Sequence, residues 1–478
     1  MMLMIEHVMH LLFVLSISYY FMSAMQWYSY RLERVVFHFH RYDWHGYFFV
    51  IPLCLYYILP SLFAYGLYLL YPIALFLWSR KLDKKLAFTA RVKRFFLFLF
   101  FAIIFQTILC LQLEICSKLG VVLPLLIAHF ASVMFEKIAF EGFKKEARTK
   151  LQSMPELKVV AITASYGKTS IKNFLAHILS SSFDVYPTPR SVNTLGGIVK
   201  DINESLPAHT QIYIVEAGAR ERGDIDEIAQ LVNPHIAIVG RIGEQHIEYF
   251  KTLENIRNTK MELLHSSRLE KAFVHESAHV KPDDKTVIFG SDIQNINATL
   301  DGTSFELFLD GEWIGFTCKL LGDFNAINLA AAIHVAKSLG VKIETIQASL
   351  LGLKSVEHRL QKIEAGGKLI IDDSFNGNLE GMLSSYELIA TYVGRKVIIT
   401  PGIIESTEEA NRTLAQKIDS VFDVVILTGK SNTALLDAHI QRPEKIILAD
   451  KSELQSLLAQ KTIPGDVILF SNDAPSFI

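Results

Sequence analysis

Apolar positions change their pattern near residue 145. Before it, hydrophobic residues come in long runs. Residues 8–25 are apolar apart from His10, and residues 95–113 and 119–135 read as two further spans joined by a very short loop. Residues 46–78 are nearly continuous apolar sequence. As one helix that run would be about 50 Å long, beyond the ~30 Å hydrocarbon core. Pro60 and Pro72 are places for a break or a tight hairpin. The pattern predicts four or five membrane spans. The opening MMLMIEH has neither a basic start nor a small-residue cleavage site, so the first span reads as an uncleaved anchor.

After residue 150 the runs shorten. Apolar strands are predicted at 159–162, 212–215, 236–239, 396–400, 424–427, 445–448 and 467–470. Between them stand helical spacings such as Ile171, Phe174, Leu175, Ile178 and Leu179. Strands alternating with helices imply parallel sheets covered on both faces. The expected organisation is an N-terminal α-helical membrane region, residues 1–145, followed by two α/β domains. These are a central P-loop domain with a parallel sheet, 146–356, and a Rossmann-like C-terminal domain, 357–478. Gly402 belongs to no G-x-G-x-x-G, so the last domain is not read as a dinucleotide site.

Charge adds an orientation. Residues 80–94 carry seven Lys/Arg against the single acid Asp83, and 137–150 is also basic. Both are expected on the cytoplasmic side, with everything that follows. Trp27, Tyr28, Trp44 and Trp78 sit at span ends, as interfacial anchors do. His38, His40 and His45 read as interfacial sequence rather than a metal cluster. Hydrophobic residues make up 50% of the chain and mean hydropathy is +0.28, the excess lying in the first region. Lys+Arg total 47 against 49 Asp+Glu, so nothing points to nucleic acid. Cys54, Cys110, Cys116 and Cys318 form no CxxC pair or disulfide pattern, which fits reduced thiols and no structural zinc.

Candidate chemistry gathers at predicted strand ends, where ligands bind in parallel α/β sheets. Residues 157–180 read as strand, small-residue turn and helix, and so form an anion site. There Lys168 adds a positive charge, and the Thr169 hydroxyl is placed to ligate Mg²⁺. The strict G-x-x-x-x-G-K-[ST] spacing is not met, because Ile162 stands where its first Gly belongs, so a chance G-K-T is the competing reading. Glu216 ends one strand and is placed to hold Mg²⁺; the alternative is a solvated carboxylate. His246 follows another strand end and is either a site residue or a surface histidine.

Taken together, these segments resemble the Mur ligase family of ATP-dependent amide ligases, and within it the branch that adds D-alanyl-D-alanine. Residues 163–170, TASYGKTS, are similar to the family loop T-G-[ST]-x-G-K-T-[ST], with Ala164 replacing a Gly. The resemblance implies that Ser165, Gly167, Lys168, Thr169 and Ser170 cradle ATP. Asn193 and Thr194 lie in SVNTLGG, similar to a loop facing metal and substrate. VEAGAR resembles the strand end that supplies Glu216 to Mg²⁺, and GEQHIE the element whose His246 serves a second Mg²⁺. Lys260 in NTKME matches a lysine that is carbamylated in the family and ligates metal. LGDFNAIN resembles the segment whose Asn325 and Asn328 hold adenine. VEHRL supplies Arg359 to the phosphates. IDDSFNGN places Asp373 on the ribose and Asn376 and Asn378 near substrate, although Leu379 stands where Pro is usual. The likeness covers about residues 157–478. The membrane region stands where the family carries a UDP-binding domain.

The activity this implies is two-step ligation in peptidoglycan precursor synthesis. The carboxylate of UDP-N-acetylmuramoyl-tripeptide attacks the γ-phosphate of ATP, and D-alanyl-D-alanine then attacks the acyl phosphate. Lys168, His246, Lys260 and Arg359 are the expected catalytic groups, with two Mg²⁺ ions. The expected place is the bacterial inner membrane, multi-pass, with catalytic domains in the cytoplasm and other cell-wall synthesis proteins as neighbours. A transporter with an ATPase domain would predict ionisable residues inside the spans, which show few. A non-catalytic scaffold would predict a damaged site, whereas Lys168, Thr169, Glu216, His246 and Lys260 are all present. Addition of another amino acid, or use of a lipid-linked precursor, stays open.

Overall fold

The computed structural model describes residues 2–37, 41–82, 84–113, 120–245, 247–375, 377–404, 406–429, 431–448 and 450–472. The chain divides into two compact units, Met1–Gly142 and Phe143–Ile478.

The first unit is helical. Its long helices are α1 (Met2–Trp27), α2 (Ser61–Arg80), α3 (Ala90–Leu113) and the start of α4 (Val122–Gln152). Among the described residues, three stretches are long and apolar enough to cross a membrane: His7–Trp27, Ala90–Cys110 and Val122–Gln152. Four or five were expected. The run 46–78 is broken near Pro60: the helix Ile51–Ile58 ends at Leu59, which is extended at φ −69°, ψ 137°. A proline ring clashes with a helical residue before it, which explains the break there. Pro72, in contrast, stays inside α2.

The core of this unit mixes aliphatic and aromatic side chains, and large apolar side chains also cover its outside. Tyr20, Tyr56, Tyr68, Tyr71 and Trp78 are buried around Phe13. Tyrosine hydroxyls find partners, while the Trp78 indole N–H has none among the described residues: Tyr56 OH lies 3.1 Å from His10 Nδ1, and Tyr20 OH lies 2.8 Å from His45 Nδ1. The Tyr71 hydroxyl donates to the Phe48 carbonyl at 2.7 Å. His45 is thus committed to a hydrogen bond, while His38 and His40 lie outside the described residues. On the outer faces Leu70, Phe105, Phe130 and Met134 are 63–68% exposed. The expectation of reduced cysteines is corrected at Cys110, which is disulfide-bonded, while Cys54 and Cys318 are free.

The second unit opens with the end of α4, whose Ala147 and Leu151 are buried. Next come β1 (Lys158–Thr163), α5 (Lys168–Leu179), β2 (Val185–Pro187), α6 (Leu195–Glu204), β3 (Ile212–Glu216), α7 (Asp224–Val232), β4 (Ile236–Val239) and α8 (Leu253–Met261). With β5 (Lys271–His275) and β6 (Thr286–Phe289), these strands make a parallel sheet in the order β2-β3-β1-β4-β5-β6. Register puts Ile162 opposite Glu216 and Thr163 opposite Val239. The carboxyl ends of β1, β3 and β4 therefore line up, and the loops that leave them converge. Ile171, Phe174, Leu175, Ile178 and Leu179 of α5 are all buried. They share a core with α9 (Asp323–Ser338), whose buried Ala330, Ala331, Ala332 and Ala336 leave room for close approach.

An antiparallel meander, β7 (Ile293–Thr299), β8 (Gly302–Leu309) and β9 (Glu312–Cys318), was not anticipated by the strand pattern. The last sheet holds β10 (Gln361–Ala365), β11 (Lys368–Asp373), β12 (Lys396–Thr400), β13 (Val424–Thr428), β14 (Glu444–Leu448) and β15 (Val467–Ser471). Its order is β10-β11-β15-β12-β13-β14, parallel except for β10. Helix α10 (Leu379–Ala390) follows β11. Leu321, just before α9, is buried in the same core as this sheet's residues Ile371 and Ile398. The Ser384 hydroxyl donates to Asp323 Oδ1 at 2.5 Å, and Arg241 pairs with Glu380.

The end of α4 is part of the second unit. Lys150 Nζ donates to the carbonyls of Ile202 and Asn203, at 2.7 and 3.4 Å, neutralising the negative end of α6. Asn203 Nδ2 donates in turn to the Phe143 carbonyl at 3.1 Å. A chain starting at Phe143 is therefore expected to fold. One starting at Leu157 loses two buried side chains and this cap, about 2–4 kcal/mol. Thermal melts of the two truncations check this; equal stability contradicts it.

Candidate active site

The loop between β1 and α5 turns through Gly167, at φ +82°. A Cβ there would stand 2.2 Å from Asn328 Oδ1, so both conformation and space demand glycine. Ala164 replaces a usual glycine without blocking the loop: its methyl lies over Gly240, where a Cβ would approach it to 2.9 Å. Ser165 Oγ donates to the Gly243 carbonyl at 2.9 Å, and Ser170 is buried at the start of the helix. The Thr163 hydroxyl, at the mouth of the loop, is buried with no partner among the described residues. Lys168 Nζ folds back over the loop to the carbonyls of Ala164, at 2.7 Å, and Ser165, at 3.3 Å. Burial pulls its pKa down to about 8, against the attraction of Glu216.

Glu216 is the centre of the site. It ends β3 and is 1% exposed. Oε2 accepts from the Thr169 hydroxyl at 3.0 Å and lies 3.1 Å from Lys172 Nζ. Oε1 accepts from Asn193 Nδ2 at 3.1 Å. The backbone N–H of Glu216 donates to Thr188 Oγ1 at 3.2 Å. The solvated reading of this carboxylate is therefore corrected. Sequence reasoning missed Lys172. Its signal was the i, i+4 spacing from Lys168, which puts both lysines on one helix face.

Lys260 also departs from its spacing-based alternative, an exposed lysine. On α8 it is 3% exposed, and among the described residues its ammonium makes no hydrogen bond or ion pair. Burial first, then the charge of Lys168, pushes its pKa well below the usual lysine value. Arg359 stacks its guanidinium over Phe375, 5.2 Å from the ring centre. Its neighbours His358 and Leu360 both take positive φ, 63° and 48°. Non-glycine residues reach that region only when held there. Asp372 accepts from His358 Nδ1 at 2.7 Å, and Asp373 Oδ1 accepts from the Leu360 N–H at 3.3 Å. Asp373 also accepts from the Ser385 hydroxyl at 2.6 Å and is fully buried. In this arrangement Asp373 pins the turn that carries Arg359.

Other implied residues are distributed as follows. Asn328 lies against the phosphate loop, while Asn325 Nδ2 donates to the Leu321 carbonyl at 2.8 Å. Thr194 caps α6 and Asn378 caps α10, each accepting a backbone N–H. His246 and Asn376 lie outside the described residues. A cavity of about 520 Å³ opens beside the loop, lined by Tyr166, Gly243 and Asp323 on one side and Asn378, Glu380 and Ser384 on the other.

Three cations, Lys168, Lys172 and Arg359, act on the Glu216 carboxylate, Lys260 feels the charge of Lys168, and burial lowers the pKa of all four. Such a site is short of negative charge and suits a polyphosphate. Mg²⁺ also fits. Two adjacent ligands of an octahedral Mg²⁺ at about 2.1 Å lie about 3 Å apart. That is the 3.0 Å separation of Thr169 Oγ1 and Glu216 Oε2. No cluster of three His, Cys, Asp or Glu occurs among the described residues, so water would complete the shell.

Residues 162–336 match the description "Mur ligase middle domain". The chain is 27% identical over 329 residues to the UDP-N-acetylmuramoyl-tripeptide–D-alanyl-D-alanine ligase of Synechocystis, spanning 66% of this chain and 71% of that protein. It is 25% identical over 338 residues to the ligase of the same name from Bacillus subtilis, spanning 66% and 72%. Among solved structures, it superposes on the MurF ligase of Thermotoga maritima in complex with ADP. That match has a TM-score of 0.61 and 25% identity, covering 70% of this chain and 80% of the other.

The lowered pKa of Lys168 sets a pH dependence. The ammonium is present below about 8 and lost above it. Phosphate beside it favours the charged form, so ADP binding is expected to take up protons between about pH 8 and 9 and none through this group below pH 7. Calorimetry in buffers of different ionisation enthalpy checks this. Equal uptake at pH 6.5 and 8.5 contradicts it.

Proposed function

The chain belongs to the Mur ligase family, and from that membership we propose that it is an ATP-dependent ligase of peptidoglycan precursor synthesis, adding D-alanyl-D-alanine to UDP-N-acetylmuramoyl-tripeptide. The observation that carries this reading is the set of three buried or half-buried cations, Lys168, Lys172 and Arg359, around Glu216, at the carboxyl ends of parallel strands. A carboxylate and a triphosphate repel each other. Lys168 and Arg359 draw the two together and offset the charge that gathers on the transferring phosphoryl group. The substrate carboxylate takes the γ-phosphoryl group, the bond to the β-phosphate breaks, and ADP departs. The amine of D-alanyl-D-alanine then attacks the acyl carbon and phosphate leaves. Glu216, Thr169 and His246 are the proposed holders of Mg²⁺, which when bound neutralises phosphate oxygens as a Lewis acid. Asn193 holds Glu216 in place, and Thr194, Asn376 and Asn378 are the proposed substrate residues. Ser165, Gly167 and Ser170 shape the phosphate loop, and Asn325 and Asn328 flank the nucleotide. The cavity lined by Tyr166 and Asn378 is the proposed room for the incoming groups.

Lys260 is proposed to carry a carbamate. An amine whose pKa is depressed by burial is neutral more often and so attacks CO₂, and the product is a carboxylate that can ligate Mg²⁺. The N-terminal unit is proposed to lie in the bacterial inner membrane, with the catalytic domains, the last of them Rossmann-like, in the cytoplasm beside other cell-wall synthesis proteins. Its apolar outer faces and its three long apolar helices support this.

The test is ADP release by full-length protein in detergent with UDP-N-acetylmuramoyl-tripeptide and D-alanyl-D-alanine. Release is expected only with both substrates, and to fall at least about 100-fold in Lys168→Ala and Lys260→Ala. Acetate is expected to restore part of the activity of Lys260→Ala alone. Release without D-alanyl-D-alanine, or normal turnover in Lys168→Ala, counts against the reading.

A further inference from the structure

Helix α5 carries two lysines one turn apart, and they do different things. Lys168 bends back over the loop. Lys172 points inward, its side chain 1% exposed, with Nζ 3.1 Å from Glu216 Oε2. Its ammonium also donates to the Arg190 carbonyl. Arg190 sits at φ +48°, three residues before Asn193, whose amide holds the other oxygen of Glu216. One ammonium thus ties together the helix after the phosphate loop, the end of β3 and the Asn193 loop.

Glu216 Oε2, which Lys172 meets, is also the oxygen 3.0 Å from Thr169 Oγ1 and so faces the place suited to Mg²⁺. We propose that Lys172 is a positioning residue that neutralises Glu216 in the nucleotide-free protein, so that the divalent cation enters with the nucleotide and not before it. This rests on the reading of Glu216 as a metal ligand. A buried carboxylate with only a hydroxyl and an amide beside it would draw a cation from solution, because an uncompensated buried charge is costly. Lys172 supplies that cation from within the chain, and its burial keeps it there. A divalent ion arriving alone would face the ammonium at close range, and like charges repel strongly where little water screens them. Phosphate groups beside the loop offset that repulsion. Metal and nucleotide then each strengthen the binding of the other by the same factor.

The experiment uses full-length protein and Mn²⁺ as the probe, counting free ion by paramagnetic resonance with and without ADP. Wild type is expected to bind Mn²⁺ at least tenfold more tightly with ADP present. Lys172→Met should bind Mn²⁺ at least tenfold more tightly than wild type without ADP, and lose most of the gain from ADP. Lys172→Gln, which keeps a donor for the Arg190 carbonyl, should do the same if the methionine variant fails to fold. Lys172→Arg, which keeps the charge, should behave as wild type. The proposal is overturned if wild type binds Mn²⁺ equally well with and without ADP. It is overturned too if a folded Lys172→Gln keeps wild-type Mn²⁺ affinity. No ligation is needed for this readout, so failure of the proposed reaction and failure of this device are told apart.

Discussion

A carboxylate buried at the end of a central strand constrains the rest of the catalytic unit. Glu216 is 1% exposed, and burying it bare would cost several kcal/mol. The chain meets that cost with a hydroxyl from Thr169, an amide from Asn193 and an ammonium from Lys172. Thr169 and Lys172 come from α5 and Asn193 from the 190–194 loop, so satisfying one charge fixes the start of that helix, the loop and the strand end against one another. Removing the ammonium alone would strand the carboxylate, a loss of about 3–5 kcal/mol for a buried pair. The surrounding excess of positive charge follows from the same arrangement, and it is what a triphosphate would complete.

The second constraint lies at the turn carrying Arg359. His358 and Leu360 are held at positive φ by Asp372, Asp373 and the start of the last sheet. Strain of this kind persists only where the surroundings over-determine it. Here it keeps a guanidinium half-buried within the field of Glu216 and Asp373, with Phe375 as its support. The first unit solves a different problem. Its outer faces carry large exposed apolar side chains, and within its apolar core Tyr20 and Tyr56 pair with His45 and His10.

The sequence made seven of the parallel strands legible because they are short apolar runs, and β4 and β12 fall on the expected residues, while β2, β5, β6 and β11 were not anticipated. It did not reveal the meander β7–β9, whose strands carry Asn, Gln, Glu and Thr in half-exposed positions and so lack a continuous apolar run. The phosphate loop, Glu216 and Lys260 were visible as motifs, but their burial was not. Helical spacing placed Lys260 off the apolar face, and only the packing of α8 shows it enclosed. Lys172 escaped notice because a lysine inside an amphipathic helix looks like a solvated one until its partner, distant in sequence, is known. The motif carried Asp373 as a residue but not its burial or its hydrogen bond from Ser385, which packing alone shows.

The most direct test of Glu216 as the organising group is the Mg²⁺ dependence of ADP affinity in Glu216→Gln, measured by calorimetry beside wild type. The substitution keeps the shape and a hydrogen-bonding end but removes the charge. The account predicts that Mg²⁺ strengthens ADP binding in wild type and has no effect in a folded Glu216→Gln. An undiminished Mg²⁺ effect in that variant would contradict it.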